Sequence, residues 1–175
     1  SLGLSQGQMA AAYTLGTLFG AVPIAFIGTF MDRYGLRRTL LASIGMFTAA
    51  CFVAAAAQGW MTVLIAFFLL RALGPGALAF LSGNTLAFWF DRRLGMVEGL
   101  RALGLAVAMI GIPMMNLWLI DLGGWRGAYA TLGVLVSLLL FPIIARFYRD
   151  TPEEIGQRID GVSPAVVPQH PEVPS

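Results

Sequence analysis

The sequence predicts an all-α integral membrane protein, and three observations carry that prediction. Its 175 residues are 58% hydrophobic and 11% charged, with a mean hydropathy of +0.78, whereas an ordinary soluble domain carries about 25% charged residues. The apolar residues run in long blocks: residues 1–31 hold no charge, and residues 39–90 hold one, Arg71. All eleven basic residues are arginine, and most stand in short clusters at the ends of these blocks. That is the distribution of a membrane topology signal, and not of a basic stripe that follows a nucleic acid.

A helix crosses the hydrocarbon core with about 20 largely apolar residues, and the blocks divide into five such spans. The first, 8–31, follows polar Ser5-Gln6-Gly7-Gln8 and ends in a charged hinge that holds Asp32, Arg33, Arg37 and Arg38. The second, 38–57, ends at the short Gln58-Gly59-Trp60 link, whose indole suits a membrane interface. The third, 61–88, is interrupted by Arg71 and by Gly74-Pro75-Gly76, and closes on Phe88-Trp89-Phe90-Asp91-Arg92-Arg93. The fourth, 94–120, leads into a loop at Asp121-Leu122-Gly123-Gly124-Trp125-Arg126, and the fifth, 127–145, exits at Arg146, Arg149 and Asp150. Outside the spans, Arg33, Arg37, Arg38, Arg92, Arg93, Arg146, Arg149 and Arg158 fall on one side and Arg126 on the other. Positive charge marks the cytoplasmic side, so the N-terminus is expected outside and the C-terminus inside.

Residues 1–149 therefore read as the membrane unit and 150–175 as a cytoplasmic polar tail. Thr151-Pro152-Glu153-Glu154 has the chemistry of a helix start, a Thr cap with Pro first and Glu three residues on, which predicts a short surface helix to Ile159. Beyond it the Pro-rich segment 163–175 has too little apolar surface to offset its ordering entropy. The chain opens on Ser1, without the basic start and small-residue cleavage site of a signal peptide, and reads as beginning within a longer protein. Cys51 lies alone in an apolar run and His170 alone in the tail, so neither a disulfide, a metal site nor a cofactor site is expected, and clustered catalytic groups are missing. The chain is not expected to be an enzyme.

Inside the spans, each polar group needs a reason. Arg71 lies ten residues into its span, roughly 15 Å down a helix that rises about 1.5 Å per residue, where a charge costs at least about 2.5 kcal/mol. It either pairs with backbone carbonyls for structure or serves a solute or a coupled ion. No acid lies at its depth, so a segment outside the chain or a bound anion would be its partner. Glu98 and Arg101 stand three apart, neighbours on a helix, and are expected to pair locally, with a coupling role as the alternative. Asn84 and Asn116 either bond across helices or line a pathway. Ala12, Gly16 and Gly20 recur every four residues on the first span, and the fourth carries Gly95 with Gly99 and Gly104 with Ala108. Small residues so spaced let helices approach closely in lipid, as static packing or as a sliding surface.

The hinge Gly28, Asp32, Arg33, Gly35, Arg37, Arg38 follows the pattern G-x-x-x-D-R-x-G-x-R-R, which resembles the loop between the second and third helices of the major facilitator superfamily. Arg71-Ala72-Leu73-Gly74-Pro75-Gly76 is similar to that family's fourth-helix Arg-and-glycine motif. Trp89-Phe90-Asp91-Arg92-Arg93 with Gly95 and Gly99, Gly124-Trp125-Arg126, and Arg149-Asp150-Thr151-Pro152-Glu153-Glu154-Ile155-Gly156 are similar to segments of its monocarboxylate and oxalate/formate branch; Glu98 and Arg101 depart from that branch, which usually carries small or apolar residues there. The resemblance covers residues 1–160 and implies helices two to six of a twelve-helix transporter, an N-terminal half-bundle lacking its first helix and its six-helix partner half. It implies alternating access between halves, with a small-molecule solute and the lipid bilayer as partners, no nucleic acid, and residence in a bacterial inner membrane. Asp32 with Arg33, Arg37 and Arg38 would form an ion-pair cluster that holds a cytoplasmic gate closed. A monocarboxylate or related organic anion, moved by proton coupling or exchange, is the expected solute; multidrug efflux and a truncated interaction subunit are the alternatives.

Overall fold

The structure, a computed structural model, describes residues 6–20, 22–151 and 159. The tail helix expected from Thr151 lies, apart from its two ends, outside the described residues, as do Arg158, His170 and the Pro-rich segment. Helix is the only regular element among the described residues. Helix α1 spans Gln6–Gly20, α2 Pro23–Tyr34, α3 Leu36–Ala55, α4 Trp60–Arg71, α5 Ala79–Trp89, α6 Leu94–Leu135 and α7 Phe141–Phe147. A π-helical segment, Ala72–Leu78, joins α4 to α5, and a second, Val136–Leu140, joins α6 to α7. Four of the resulting rods are long and apolar enough to cross a membrane: Gln6–Tyr34, Leu36–Ala55, Trp60–Trp89 and Leu94–Phe147.

The prolines explain most of the joints. Pro23 has no amide hydrogen and stands first in α2, so the expected first span is built of two helices, α1 and α2. Pro75 lies inside the first π segment and Pro142 just after the second. A widened turn absorbs the clash that a proline ring makes with the preceding turn.

The break expected over Asp121–Arg126 is narrow. Asp121–Gly123 remain helical, and the non-helical backbone within α6 is confined to Gly124, at φ 68° and ψ 175°. A positive φ excludes most side chains but not glycine, so one residue suffices to turn the chain.

Helix α3 lies at the centre. Leu36, Leu40 and Ile44 on α3 bury against Leu81 of α5, with Ile27, Val136, Ile144 and Tyr148 packed around them. At the other end of α3, Ala57 joins Ala12 and Val63 beneath Trp60, Phe67 and Trp125. Helix α1 lies on α4 through its small residues: a methyl built on Gly16 would stand 3.0 Å from the Phe68 amide nitrogen, and one on Gly20 3.3 Å from the Ala72 nitrogen. The close approach expected of the Ala12, Gly16, Gly20 face is thus made to α4. The fourth span's small residues make no such contact, since nothing lies within 4 Å of a methyl built on Gly95, Gly99 or Gly104. Most of α6 ahead of Gly124 is exposed apolar surface.

Candidate functional site

The hinge between α2 and α3 is built around Gly35. Its φ of 85° closes α2, the Gly35 N–H donating to the Met31 carbonyl at 2.9 Å, and Leu36 starts α3 at once. Helix α3 then begins with Arg37 and Arg38 and has no acid in its first turn and no side-chain cap of its own. That is the wrong charge for a helix N-terminus, where the dipole favours anions. Asp150, 113 residues away, makes the correction: its carboxylate accepts the Arg37 backbone N–H, and the Arg37 guanidinium donates to the Ala145 carbonyl. Gly35 also leaves room for this carboxylate, because a methyl there would stand 3.3 Å from Asp150 Oδ2.

Thr39 Oγ1 donates to the Gly35 carbonyl at 2.8 Å, and Tyr148 shares a 2.8 Å hydrogen bond with Thr85 of α5. Burial pushes the Tyr148 phenol above its ordinary value; the Thr85 bond opposes this and the Asp150 charge adds to it. The hinge is thereby tied to the end of α7 and, through Tyr148, to α5. Among the described residues no ion pair joins Asp32 to Arg33, Arg37 or Arg38. Asp32, Arg33 and Arg38 are exposed, Arg33 lies over the Tyr34 ring at 5.5 Å, and Arg37 is turned toward Ala145 instead. Gly28 lies on α2 facing Phe80, 3.8 Å from a built methyl.

Arg71 ends α4, at the mouth of two adjoining lobes of one cavity, of about 230 and 250 Å³. Tyr13, Thr17, Phe67, Leu70, Pro75 and Tyr129 line the first lobe with it; Thr17, Gly20, Ile24, Pro75 and Gly76 line the second. Tyr13 and Phe67 meet edge to face at 6.1 Å. Gly20 lets the Arg71 stem lie on α1, since a methyl there would be 3.3 Å from Arg71 Cγ. Among the described residues no carboxylate or carbonyl pairs with the Arg71 guanidinium.

Glu98 and Arg101 pair at 2.6 Å, one turn apart and both partly exposed. Glu98 also faces Gly83 of α5, 3.9 Å from a built methyl. Asn84 donates back to the Phe80 carbonyl at 2.9 Å, within its own helix, and Asn116 is half-buried on α6. The structure therefore leaves Arg71, the Glu98–Arg101 pair, Asn84 and Asn116 at separate places, and gathers the hinge with the end of α7.

At the opposite end of the bundle, Trp60 Nε1 donates to the Gln8 carbonyl at 3.1 Å and Arg126 donates to the Ala57 carbonyl at 2.9 Å while lying over Trp125. Thr62 Oγ1 accepts the Gln58 and Gly59 amides and closes the α3–α4 link.

Residues 1–169 match the family model described as Major Facilitator Superfamily. Among curated relatives, the chain is 32% identical over 152 residues to a multidrug resistance protein B homolog of Mycobacterium tuberculosis, covering 86% of this chain and 28% of the relative. It is 29% identical over 154 residues to a probable 4-methylmuconolactone transporter of Cupriavidus pinatubonensis, covering 85% and 35%. It is 22% identical over 155 residues to an uncharacterized MFS-type transporter, YhjX, of Escherichia coli, covering 89% and 38%. The chain thus spans 28% to 38% of the length of these relatives. No solved structure matches it. Apolar rods of membrane-crossing length, the charged hinge at Gly35 and the family match over 1–169 agree: the chain belongs to the major facilitator superfamily of membrane transport proteins.

Proposed function

We propose that the chain is the working part of one half of a secondary active transporter that moves a small organic anion, a monocarboxylate or a close relative, by alternating access with proton coupling or exchange. The observation that carries this reading is Arg71: a guanidinium well inside an apolar span, lining a cavity, with no acid beside it among the described residues. A permanent charge at that depth is costly, and a passing anion gives it a partner. The relative named for 4-methylmuconolactone supports transport of a small organic solute, and the segments around Trp89–Gly99 and Gly124–Arg126 support the monocarboxylate and oxalate/formate branch. The relative named for multidrug resistance supports efflux as the second reading.

In this proposal the 54-residue rod Leu94–Phe147 crosses twice. At about 1.5 Å per residue it is about 80 Å long, far beyond a core of about 30 Å, and Gly124 supplies the turn. That gives five crossings, helices two to six, in a bacterial inner membrane with the hinge and Asp150 cytoplasmic. The exposed Asp32, Arg33 and Arg38 are then free to meet the other half, and their contacts bias which side is open.

Flux tests the proposal. Proteoliposomes containing the full-length transporter should take up radiolabelled monocarboxylates, and Asp32→Asn should slow uptake while expression stays near normal. Drug efflux without any carboxylate-dependent flux refutes the anion reading, and full activity of Asp32→Asn refutes the gating role.

A further inference from the structure

Resting on the organic-anion reading, we infer that the Arg71 cavity is a subsite for ring-bearing monocarboxylates. The Arg71 guanidinium and the Thr17 hydroxyl take the carboxylate, and Tyr13, Phe67 and Tyr129 take the ring. The charge comes first. The acids among the described residues are Asp32, Asp91, Glu98, Asp121 and Asp150. Glu98 is paired to Arg101 and Asp150 is bound at Arg37, and Asp32, Asp91 and Asp121 lie in or beside the turns that end the spans. None of them pairs with Arg71, and the guanidinium's planar fork matches a carboxylate with two parallel hydrogen bonds.

Thr17 is the second observation. A threonine inside a helix ordinarily donates its hydroxyl to the carbonyl four residues back. Thr14, Thr29, Thr39 and Thr85 all do so, to Ala10, Ala25, Gly35 and Leu81. Thr17 and Thr48 do not: the Oγ1 of each is shielded from solvent and without a partner, and of the two only Thr17 lines the lobes beside Arg71. A buried hydroxyl left unbonded is costly, and a carboxylate oxygen held at Arg71 is an acceptor that would relieve it.

The walls select the rest of the molecule. Tyr13, Phe67 and Tyr129, with Leu70 and Pro75, make one lobe largely aromatic and apolar, and the edge-to-face contact of Tyr13 with Phe67 fixes two of its faces. A flat ring buries more apolar surface there than a short aliphatic chain and adds ring-to-ring contacts. Gly20 is the positioning residue, because it lets the Arg71 stem rest on α1 and sets where the guanidinium stands.

Uptake of labelled benzoate by proteoliposomes containing the full-length transporter is the test, with acetate, octanoate and benzamide as competitors. Benzoate should be taken up, and acetate and octanoate should compete at least about tenfold more weakly. Benzamide, of the same shape but uncharged, should not compete at tenfold excess. Thr17→Val, which keeps the shape and removes the donor, should raise the half-saturation concentration for benzoate about tenfold or more, as expected for loss of a hydrogen bond to a charged group. Thr17→Ser, at equal amounts in the membrane, should restore it. Carboxylate flux that prefers acetate or octanoate overturns the ring subsite while the organic-anion reading stands. Absence of flux for every carboxylate overturns both. Competition by benzamide equal to that of benzoate overturns the Arg71 pairing, and wild-type behaviour of Thr17→Val overturns the role of its hydroxyl.

Discussion

Replacing Gly16 by alanine tests how closely α1 is seated on α4. The new methyl would stand 3.0 Å from the Phe68 amide nitrogen and 3.2 Å from both the Phe67 carbonyl carbon and Cβ. These atoms are backbone or fixed to it, so no rotamer change relieves the contact, and one helix must shift by a few tenths of an ångström. Gly45 on α3 is the matched control, because a methyl there meets nothing within 4 Å. At either helix-interior position the exchange gains about 0.5–1 kcal/mol of backbone propensity. At Gly45 that gain stands alone, whereas at Gly16 overpacking opposes it with about 1–3 kcal/mol. The two variants should therefore differ by about 1–3 kcal/mol, Gly45→Ala lying above the parent. Cys51, buried and the only cysteine in the chain, reports unfolding in detergent through a thiol-reactive fluorophore. At about 2–4 °C per kcal/mol for a chain of this size, the midpoints should part by about 2–12 °C. Equal midpoints, or a higher one for Gly16→Ala, refute the close seating.

Asp150→Ala removes the long-range cap of α3 and should cost about 1–3 kcal/mol, with Asp150→Asn losing less because it still accepts the Arg37 amide; the Cys51 assay reads both. Arg126→Met keeps an apolar stem on Trp125 but leaves the Ala57 carbonyl without its donor, and should lower the midpoint by the equivalent of about 1 kcal/mol. A midpoint unchanged by either exchange would mean that the contact contributes nothing. Tyr148 has a pKa raised above its ordinary value of about 10. Folding therefore favours the neutral phenol, and that stabilisation is complete below about pH 10 and is lost as pH rises through the folded-state pKa. Unfolding midpoints measured from pH 9 to 12 should fall more steeply for the parent than for Tyr148→Phe, and identical slopes would count against the burial of the phenol.

The apolar blocks and the arginines at their ends were enough to place α3 and the α4–α5 rod within about two residues, because lipid demands length and hydropathy. The small-residue face of the first span was legible too, since Ala12, Gly16 and Gly20 have no use on a lipid-facing stripe. Its partner was not, because nothing local says which neighbour will lie against it. Two details were harder to read. The polar composition of Asp121–Arg126 marked a break in the chain, but not that one glycine at positive φ, Gly124, would make it. The hinge sequence also did not show that Arg37 finds partners at Ala145 and Asp150, more than a hundred residues on. One signal was available: α3 begins with two arginines and no cap, so an acid had to come from elsewhere. The unbonded hydroxyls of Thr17 and Thr48 had no signal, since four other threonines bond back to their own helices.

The π-helical segment Ala72–Leu78 also sets a phase. On an α-helix each residue turns the chain by about 100°, and the wider turn lets α4 and α5 present faces that a continuous α-helix would not combine. Helix α4 meets α1 through Phe67 and Phe68, while α5 buries Leu81 against Leu36, Leu40 and Ile44 of α3. Straightening 72–78 into α-helix at the same chain length would swing Ala79–Trp89 by about a quarter turn relative to Arg71. Leu81 would leave the α3 core and Thr85 would leave Tyr148. In this rod the winding of the chain between Arg71 and Leu81, as much as the identity of its residues, is what the rest of the bundle reads.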